Sequence, residues 1–187
     1  MSSLLVLGGA RSGKSRFALE SAPRPGIFVA TAEAGDADMA RRIERHRRER
    51  GDAWRTVEAP RDLVRALGAL AGSRDPVVVD CITLWVGNRQ LGGDGDEQIL
   101  AEADALARLI AACPFALTLV SNEVGEGVHP ETEAGLRFRD LLGAVNQRLA
   151  AACDRVVLMV AGLPLTIKDA RRDTRAGESH ARAAQIP

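Results

Sequence analysis

Short runs of aliphatic and β-branched residues recur along the chain, and most are separated by segments whose apolar residues return at helical spacing. The runs lack the polar alternation of a sheet with one wet face, so they predict buried strands. These strands are predicted at Leu4–Leu7, Ile27–Thr31, Trp54–Val57, Val77–Asp80, Leu117–Ser121 and Val156–Ala161. Helices are predicted at Lys14–Ser21, Asp38–Arg50, Arg61–Ala71, Glu97–Ala112 and Thr132–Ala152.

Alternating strands and helices predict an α/β fold, with a mainly parallel sheet covered by helices on both faces. The 187 residues are the size of a single domain. We expect that domain to span residues 1–168, and we expect a flexible or peripheral tail at 169–187, where apolar periodicity gives way to charge and alanine. Such sheets bind ligands outside the carboxyl ends of their strands, so the residues that follow each strand are the candidates for a site.

A glycine-rich segment, Gly8–Ser15, follows the first predicted strand and precedes the first predicted helix. It matches the G-x-x-x-x-G-K-[ST] pattern in the context that the pattern requires, which predicts a P-loop NTPase-like fold. The backbone N–H groups of such a loop surround a phosphate, and the helix directs its positive end at the same anion. The candidate phosphate-binding residues are Gly8, Gly9, Ala10, Arg11, Ser12, Gly13, Lys14 and Ser15.

Lysine is rare in this chain, since only Lys14 and Lys168 occur among its 25 basic residues. We therefore expect that the glycine-rich loop specifically requires lysine at position 14. Its compact ammonium is expected to reach the β- and γ-phosphates. Ser15 is expected to bind Mg²⁺. Asp80, at the end of an apolar strand, is the candidate acidic partner of that metal, although an ordinary strand-end aspartate is the alternative.

The predicted helix Asp38–Arg50 contains many arginines and one histidine. At ~100° per residue, Met39, Ile43, His46 and Arg50 fall within an arc of about 60°, which predicts that they share the face packed on the body of the protein. One interpretation is a solvated basic face with a packing histidine. The other is a nucleophile, because nearby positive charge keeps imidazole neutral and able to attack an α-phosphate.

The charge balance excludes several classes of partner. The chain has 25 basic and 25 acidic residues, so its formal net charge is zero. No overall electrostatic field therefore attracts nucleic acid or an anionic membrane. The longest apolar runs are far below the ~18 residues of a membrane span, and Leu4–Leu7 meets glycines too soon for a signal peptide. We expect a cytoplasmic protein that has no membrane span and does not bind nucleic acid.

Four segments, taken together and in order, are more specific than any P-loop alone. They are Gly8–Ser15, Arg42–His46, Asn122–Gly125 and Val145–Ala150. They resemble the bifunctional adenosylcobinamide kinase / adenosylcobinamide-phosphate guanylyltransferase family of cobalamin biosynthesis, over about Leu4 to Lys168. The resemblance implies an enzyme that phosphorylates adenosylcobinamide with ATP or GTP. It then implies transfer of GMP from GTP, through a guanylylated histidine, to give adenosylcobinamide-GDP and pyrophosphate.

The resemblance also assigns residues. The guanylylated histidine matches His46. Asp80 is a candidate Mg²⁺ ligand together with Ser15, and a contact to guanine or ribose is the alternative role for Asp80. The nucleotide contacts implied beyond the P-loop are Thr31, Ala32, Glu33, Arg47, Arg48, Glu49, Arg50, Glu58 and Asp80. For Asn122 and Glu123, a corrinoid or metal contact competes with a capping or loop role. By analogy with homologues in this family, the resemblance also implies a homotrimer.

Two other hypotheses remain open from the residues. The first is a P-loop kinase for a small alcohol that lacks guanylyl transfer, with His46 a structural residue. The second is a RecA-like ATP-driven binding module whose arginine helix contacts nucleic acid. Zero net charge and only 3% aromatic residues count against the second hypothesis.

Overall fold

The computed structural model describes residues 2–33, 35, 41, 43–44, 47–48, 50–127 and 129–170. The strands are β1 (Ser3–Gly8), β2 (Gly26–Ala30), β3 (Trp54–Glu58), β4 (Val77–Asp80), β5 (Leu117–Val120), β6 (Arg155–Val160) and β7 (Leu163–Asp169). The helices are α1 (Lys14–Ser21), α2 (Leu63–Gly68), α3 (Ile82–Leu91), α4 (Asp96–Ala112) and α5 (Glu133–Ala152). Helical backbone is also described at residues 41, 43–44, 47–48 and 50.

The strands form one sheet in the order β3-β2-β4-β5-β1-β6-β7. All neighbouring pairs are parallel except β6 and β7, which are antiparallel. The mainly parallel sheet of the prediction is therefore confirmed. β5 lies between β1, which leads into the phosphate loop, and β4, which ends at Asp80. Two strand spacings of about 4.8 Å separate the ends of β1 and β4, so a substrate of about 10 Å can touch both.

Each face of the sheet is buried under helices, as predicted. On one face, α2, α3, α4 and α5 pack through buried side chains such as Leu63, Trp85, Leu106 and Leu142. On the other face, α1 packs through Ala18 against the second core cluster of the protein. Because both faces are covered, function is confined to the edge where the strands end and the loops begin.

The sequence prediction missed two elements. β7 follows Gly162 directly, contains Pro164 and leaves most of its side chains exposed, so it lacks the buried apolar run that identified the other strands. Proline is tolerated there because β7 is the edge strand. α3 begins two residues after β4, and its N-cap residue, Cys81, makes no side-chain capping hydrogen bond, so the usual start signal is absent.

The ends of the described chain bear on two further expectations. No helix among the described residues is long and apolar enough to cross a membrane. β7 ends at Asp169, one residue beyond the predicted domain boundary. Residues 171–187, which make up most of the predicted tail, lie outside the described residues.

Lys168, the second of the two lysines, closes the carboxyl end of α5. Its Nζ donates hydrogen bonds to the carbonyl oxygens of Ala150, at 3.0 Å, and Ala151, at 2.8 Å. Those carbonyls belong to the last turn of the helix, where the backbone dipole is negative and carbonyl oxygens have no partner within the helix. An ammonium has three hydrogen-bond donors, so it can bond to both neighbouring carbonyl oxygens. These hydrogen bonds connect β7 to the end of α5.

Lys168→Met is expected to lower the free energy of unfolding by about 1 kcal/mol, because the helix end loses its cation and two donors. Urea denaturation followed by circular dichroism, at fixed protein concentration, measures the change. Arg74→Met, at an exposed position in the loop before β4, is the control and should leave the midpoint unchanged. Equal midpoints for Lys168→Met and the wild type would contradict this account of the helix end.

Candidate active site

The phosphate loop requires glycine at defined points of its backbone. Gly8 has φ +147°, and a Cβ atom there would lie 2.5 Å from the carbonyl oxygen of Met159. Gly13, with φ +93°, is the N-cap residue of α1 in a left-handed conformation. The first turn of α1 contains no acidic residue and no side-chain cap, so its amide groups and positive dipole end remain available to an anion.

Lys14 is buried within this loop, with only 7% of its surface exposed. Its Nζ donates to the carbonyl oxygen of Gly9 at 2.5 Å and lies 3.5 Å from Ser12 Oγ. Burial lowers the pKa of Lys14, although the negative charge of Asp80 acts in the opposite direction. Among the described residues, no carboxylate lies within ion-pair distance of this ammonium. A buried cation with neutral partners is suited to a bound anion.

Two adjoining cavities lie beside the loop. The first has a volume of about 200 Å³ and is lined by Ser15, Phe28, Ala30, Ala32, Ile43, Arg50, Asp80, Cys81, Leu84 and Asn122. The second has a volume of about 350 Å³ and is lined by Ser15, Arg16, Leu19, Glu20, Arg24, Phe28, Arg50 and Asp80. Ser15, Phe28, Arg50 and Asp80 belong to both. The two predicted metal ligands, Ser15 and Asp80, therefore both line the two cavities.

The donor atoms of Ser15 and Asp80 fit Mg²⁺, which prefers hydroxyl, carboxylate and phosphate oxygens. No group of three or more His, Cys, Asp or Glu side chains within the described ranges is placed to hold a metal ion by itself. A site with two protein oxygens leaves its remaining positions to water and substrate phosphates. That is the usual arrangement for magnesium at a nucleotide.

Arg50 supplies positive charge to both cavities. Its guanidinium carbon lies 3.6 Å from the centroid of the Phe28 ring, in a cation–π contact. Its Nε is buried and has no hydrogen-bond partner among the described residues. Burial lowers the pKa of Arg50, while the neighbouring Asp80 carboxylate raises it and Arg47 lowers it further. The guanidinium remains charged, because an unperturbed arginine titrates far above neutral pH.

Cys81 also lines the first cavity but is not a nucleophile at neutral pH. Burial, followed by the negative charge of Asp80, raises the pKa of its thiol to about 11. The thiol is therefore protonated and serves as a packing group. Its backbone is held by Thr31, which is fully buried: Thr31 Oγ1 donates to the Cys81 carbonyl oxygen at 2.7 Å and accepts from the Cys81 N–H at 2.7 Å.

The predicted nucleotide contacts that follow β2 and β3 differ in whether they line a cavity. The hydroxyl of Thr31 is committed to Cys81, so this side chain positions the loop after β4, whereas Ala32 lines the first cavity. Glu33 is exposed and forms an ion pair with Arg61 at 3.4 Å. Glu58 ends β3, the outermost strand on that side, is exposed, and lines neither cavity.

The loop after β5 contributes one residue to the cavity. Glu123 Oε1 accepts a hydrogen bond from the Gly125 N–H at 2.8 Å, so its carboxylate stabilises the conformation of this loop. Asn122 lines the first cavity, and its backbone is held by Thr83 and Asn146. Sequence reasoning did not predict that Thr83 and Asn146 support this backbone. The available signal was a polar Asn146 within the apolar stripe of α5, since buried polar side chains need partners.

The histidine helix is described only in part, and His46 and Glu49 lie outside the described residues. Arg47 and Arg48 are exposed, and Arg48 pairs with Glu44 at 3.0 Å. Ile43 and Arg50 line the first cavity. The helical face that the sequence assigns to Ile43 and Arg50 therefore borders the cavity that contains Ser15 and Asp80.

Sequence comparison gives a consistent family. The profile of the family described as "Cobinamide kinase / cobinamide phosphate guanyltransferase" matches residues 4–167. The bifunctional adenosylcobalamin biosynthesis protein CobP of Pseudomonas aeruginosa is 43% identical over 167 residues, which covers 88% of this chain and 96% of the relative. The CobU proteins with the same description from Salmonella typhimurium and Escherichia coli K12 are 42% and 40% identical, each covering 88% of this chain and 99% of the relative.

Structural comparison identifies the fold alone. An ATPase from the type III secretion system of pathogenic bacteria aligns with TM-score 0.53 and 9% identity, over 88% of this chain and 56% of the other. A Pyrococcus horikoshii OT3 protein also aligns with TM-score 0.53 and 9% identity, over 90% of this chain and 86% of the other. This chain thus spans little more than half the length of the secretion ATPase. Likeness to an ATPase confirms the predicted P-loop NTPase-like fold.

Lys14→Arg is expected to lower the rate of phosphoryl transfer at least about 100-fold, because a planar guanidinium cannot occupy the enclosed position of the ammonium. Steady-state turnover and calorimetric titration with nucleotide measure the loss. Lys168→Arg makes the same change at the other lysine and should retain wild-type turnover. A Lys14→Arg enzyme within about twofold of the wild-type rate would show that the loop does not need a compact cation.

Proposed function

The chain belongs to the cobinamide kinase / cobinamide phosphate guanyltransferase family, and we propose that it carries out both reactions at the site beside the phosphate loop. The kinase reaction phosphorylates the aminopropanol hydroxyl of adenosylcobinamide with ATP or GTP. The guanylyl reaction transfers GMP from GTP to the new phosphate through His46. The observation that carries the proposal is the cavity that joins Ser15, Asp80 and Arg50 beside the buried Lys14.

In the kinase reaction the chain acts mainly by positioning. The amides of the phosphate loop and Lys14 hold the β- and γ-phosphates, and Ser15 with Asp80 would hold Mg²⁺, which supplies charge neutralisation when bound. The substrate hydroxyl oxygen forms a bond to the γ-phosphorus while the bond to the β,γ-bridging oxygen breaks. A nucleoside diphosphate leaves, and the hydroxyl proton passes to solvent. The transition state is loose, so a strong general base is not required.

In the guanylyl reaction His46 acts as a covalent carrier. A neutral imidazole nitrogen attacks the α-phosphorus of GTP, the bond to the α,β-bridging oxygen breaks, and pyrophosphate leaves. A phosphate oxygen of adenosylcobinamide phosphate then displaces the imidazole, which departs in its protonated form. Ile43 and Arg50, which share a predicted helical face with His46, line the cavity and support this assignment. Arg50 also supplies positive charge for a triphosphate and for departing pyrophosphate.

Incubation with GTP labelled at the α-phosphate should attach the label to the protein through a phosphoramidate that survives base and is lost in mild acid. His46→Asn should abolish the label, because the nucleophile is removed. His129→Asn is the matched control, since His129 is exposed and its Nδ1 lies 2.9 Å from an Arg139 nitrogen. Denaturing gels and peptide mapping report the result. An enzyme that transfers the γ-phosphate but never takes up α-label would instead be a kinase alone.

We also propose that the enzyme is a cytoplasmic homotrimer and that the β6–β7 face is a contact surface between its copies. Leu163 and Leu165 are 72% and 55% exposed. They pair across the hairpin with Val160 and Leu158, so four apolar residues share one face at the edge of the sheet. An exposed apolar edge strand invites association with another chain. Nucleotide substrates and the balanced charge of the chain support a cytoplasmic location.

Replacing both Leu163 and Leu165 with Glu should convert the trimer to a monomer, because carboxylates would have to be buried at the contact. Size-exclusion chromatography with light scattering measures the mass. Leu91→Glu is the control, because Leu91 is also exposed, at 87%, but lies at the end of α3. A monomeric wild type, or a double variant with the wild-type mass, would exclude this surface.

A further inference from the structure

The loop after β5 occupies the centre of the catalytic edge. β5 lies between β1 and β4, so the residues that follow it stand between the phosphate loop and Asp80. The first cavity confirms this placement, because Asn122 lines it together with Ser15 and Asp80. A γ-phosphate held by the phosphate loop, with its metal at Ser15 and Asp80, would extend into this position.

Two side chains from different helices hold the backbone of Asn122. Its N–H donates to Thr83 Oγ1, from α3, at 2.7 Å, and its carbonyl oxygen accepts from Asn146 Nδ2, from α5, at 3.1 Å. Ser121 Oγ donates to Asn146 Oδ1 at 2.7 Å and lies 3.5 Å from Thr83 Oγ1, which closes a ring of polar contacts. The ring is buried, with Asn146 only 6% exposed.

The same loop is fixed to the phosphate loop. The Ser121 N–H donates to the Val6 carbonyl oxygen, and the Glu123 N–H donates to the carbonyl oxygen of Gly8, each at 3.0 Å. Ser121 directs its hydroxyl to Asn146, and Glu123 directs its carboxylate to Gly125. In the part of the chain that the structure describes, the Asn122 side-chain amide makes no hydrogen bond. Three consecutive residues are thus held in place, and the middle one, Asn122, lines the cavity and carries a neutral amide.

We propose that the Asn122 amide donates a hydrogen bond to the phosphoryl group transferred in the kinase reaction, and that Thr83 and Asn146 are its positioning residues. This inference rests on the proposed kinase function. An amide suits the position because it stabilises charge on the equatorial oxygens without repelling them, as a carboxylate would. A buried polar ring costs free energy unless every member is satisfied, and this ring is satisfied by groups that fix one backbone segment.

Three substitutions test the roles separately. Asn122→Ala should lower kcat for phosphorylation of cobinamide about 100-fold with little change in KM for the nucleotide, because the contact is made in the transition state. Thr83→Val keeps the shape but removes the acceptor, and it should lower kcat about 10-fold. Thr83→Ser keeps the acceptor and should restore the rate. Combining Asn122→Ala with Thr83→Val should cost no more than Asn122→Ala alone, because Thr83 acts through Asn122.

A second readout separates positioning from general damage to the fold. Asn146→Ala should slow γ-phosphoryl transfer while α-label from GTP still reaches the protein at the wild-type rate, since attack at the α-phosphorus does not use Asn122. Gln147→Ala, the exposed neighbour on α5, is the control. Equal loss of both activities in Thr83→Val and Asn146→Ala, or a wild-type kcat in Asn122→Ala, would overturn the inference. If the wild-type enzyme takes up no α-label from GTP, the guanylyl proposal is contradicted. The kcat values of the variants then still test the role of Asn122 in the kinase reaction.

Discussion

The catalytic edge depends on one buried positive charge. Lys14 is enclosed by its own loop, where its ammonium contacts the Gly9 carbonyl and lies near the Ser12 hydroxyl. Burial lowers the pKa of Lys14 because it disfavours the charged ammonium, and a bound anion would stabilise that charge. The phosphate loop directly follows β1, so the strand order of the sheet sets which of the other described residues lie beside it.

Strand order then decides which residues can share a phosphate chain with Lys14. With β5 inserted between β1 and β4, the loop after β5 and the carboxylate of Asp80 stand beside the phosphate loop on the same side. β2 lies next to β4 and carries Phe28, whose ring contacts the Arg50 guanidinium, and both residues line the two cavities. Lys14 in the phosphate loop and Arg50 at the cavities can therefore both supply positive charge to a triphosphate.

Those features that depend on local sequence were predictable. The phosphate loop could be read because its glycines, lysine and flanking elements are contiguous, and the central strands because they are buried on both faces. β7 could not, because its stability comes from pairing with β6 and its side chains stay exposed. α3 lacked a capping residue. The contacts of Thr83, Ser121 and Asn146 with one another and with Asn122 could not be predicted, because these hydrogen bonds join residues 24 to 39 positions apart.

Calorimetric titration with guanosine, GMP, GDP and GTP tests the buried-cation account most directly. If the amides of the phosphate loop and Lys14 hold the β-phosphate, affinity should rise at least about 100-fold between GMP and GDP, which corresponds to about 2.7 kcal/mol. The step from guanosine to GMP should be smaller. A series in which GMP binds as tightly as GDP and GTP would contradict the account.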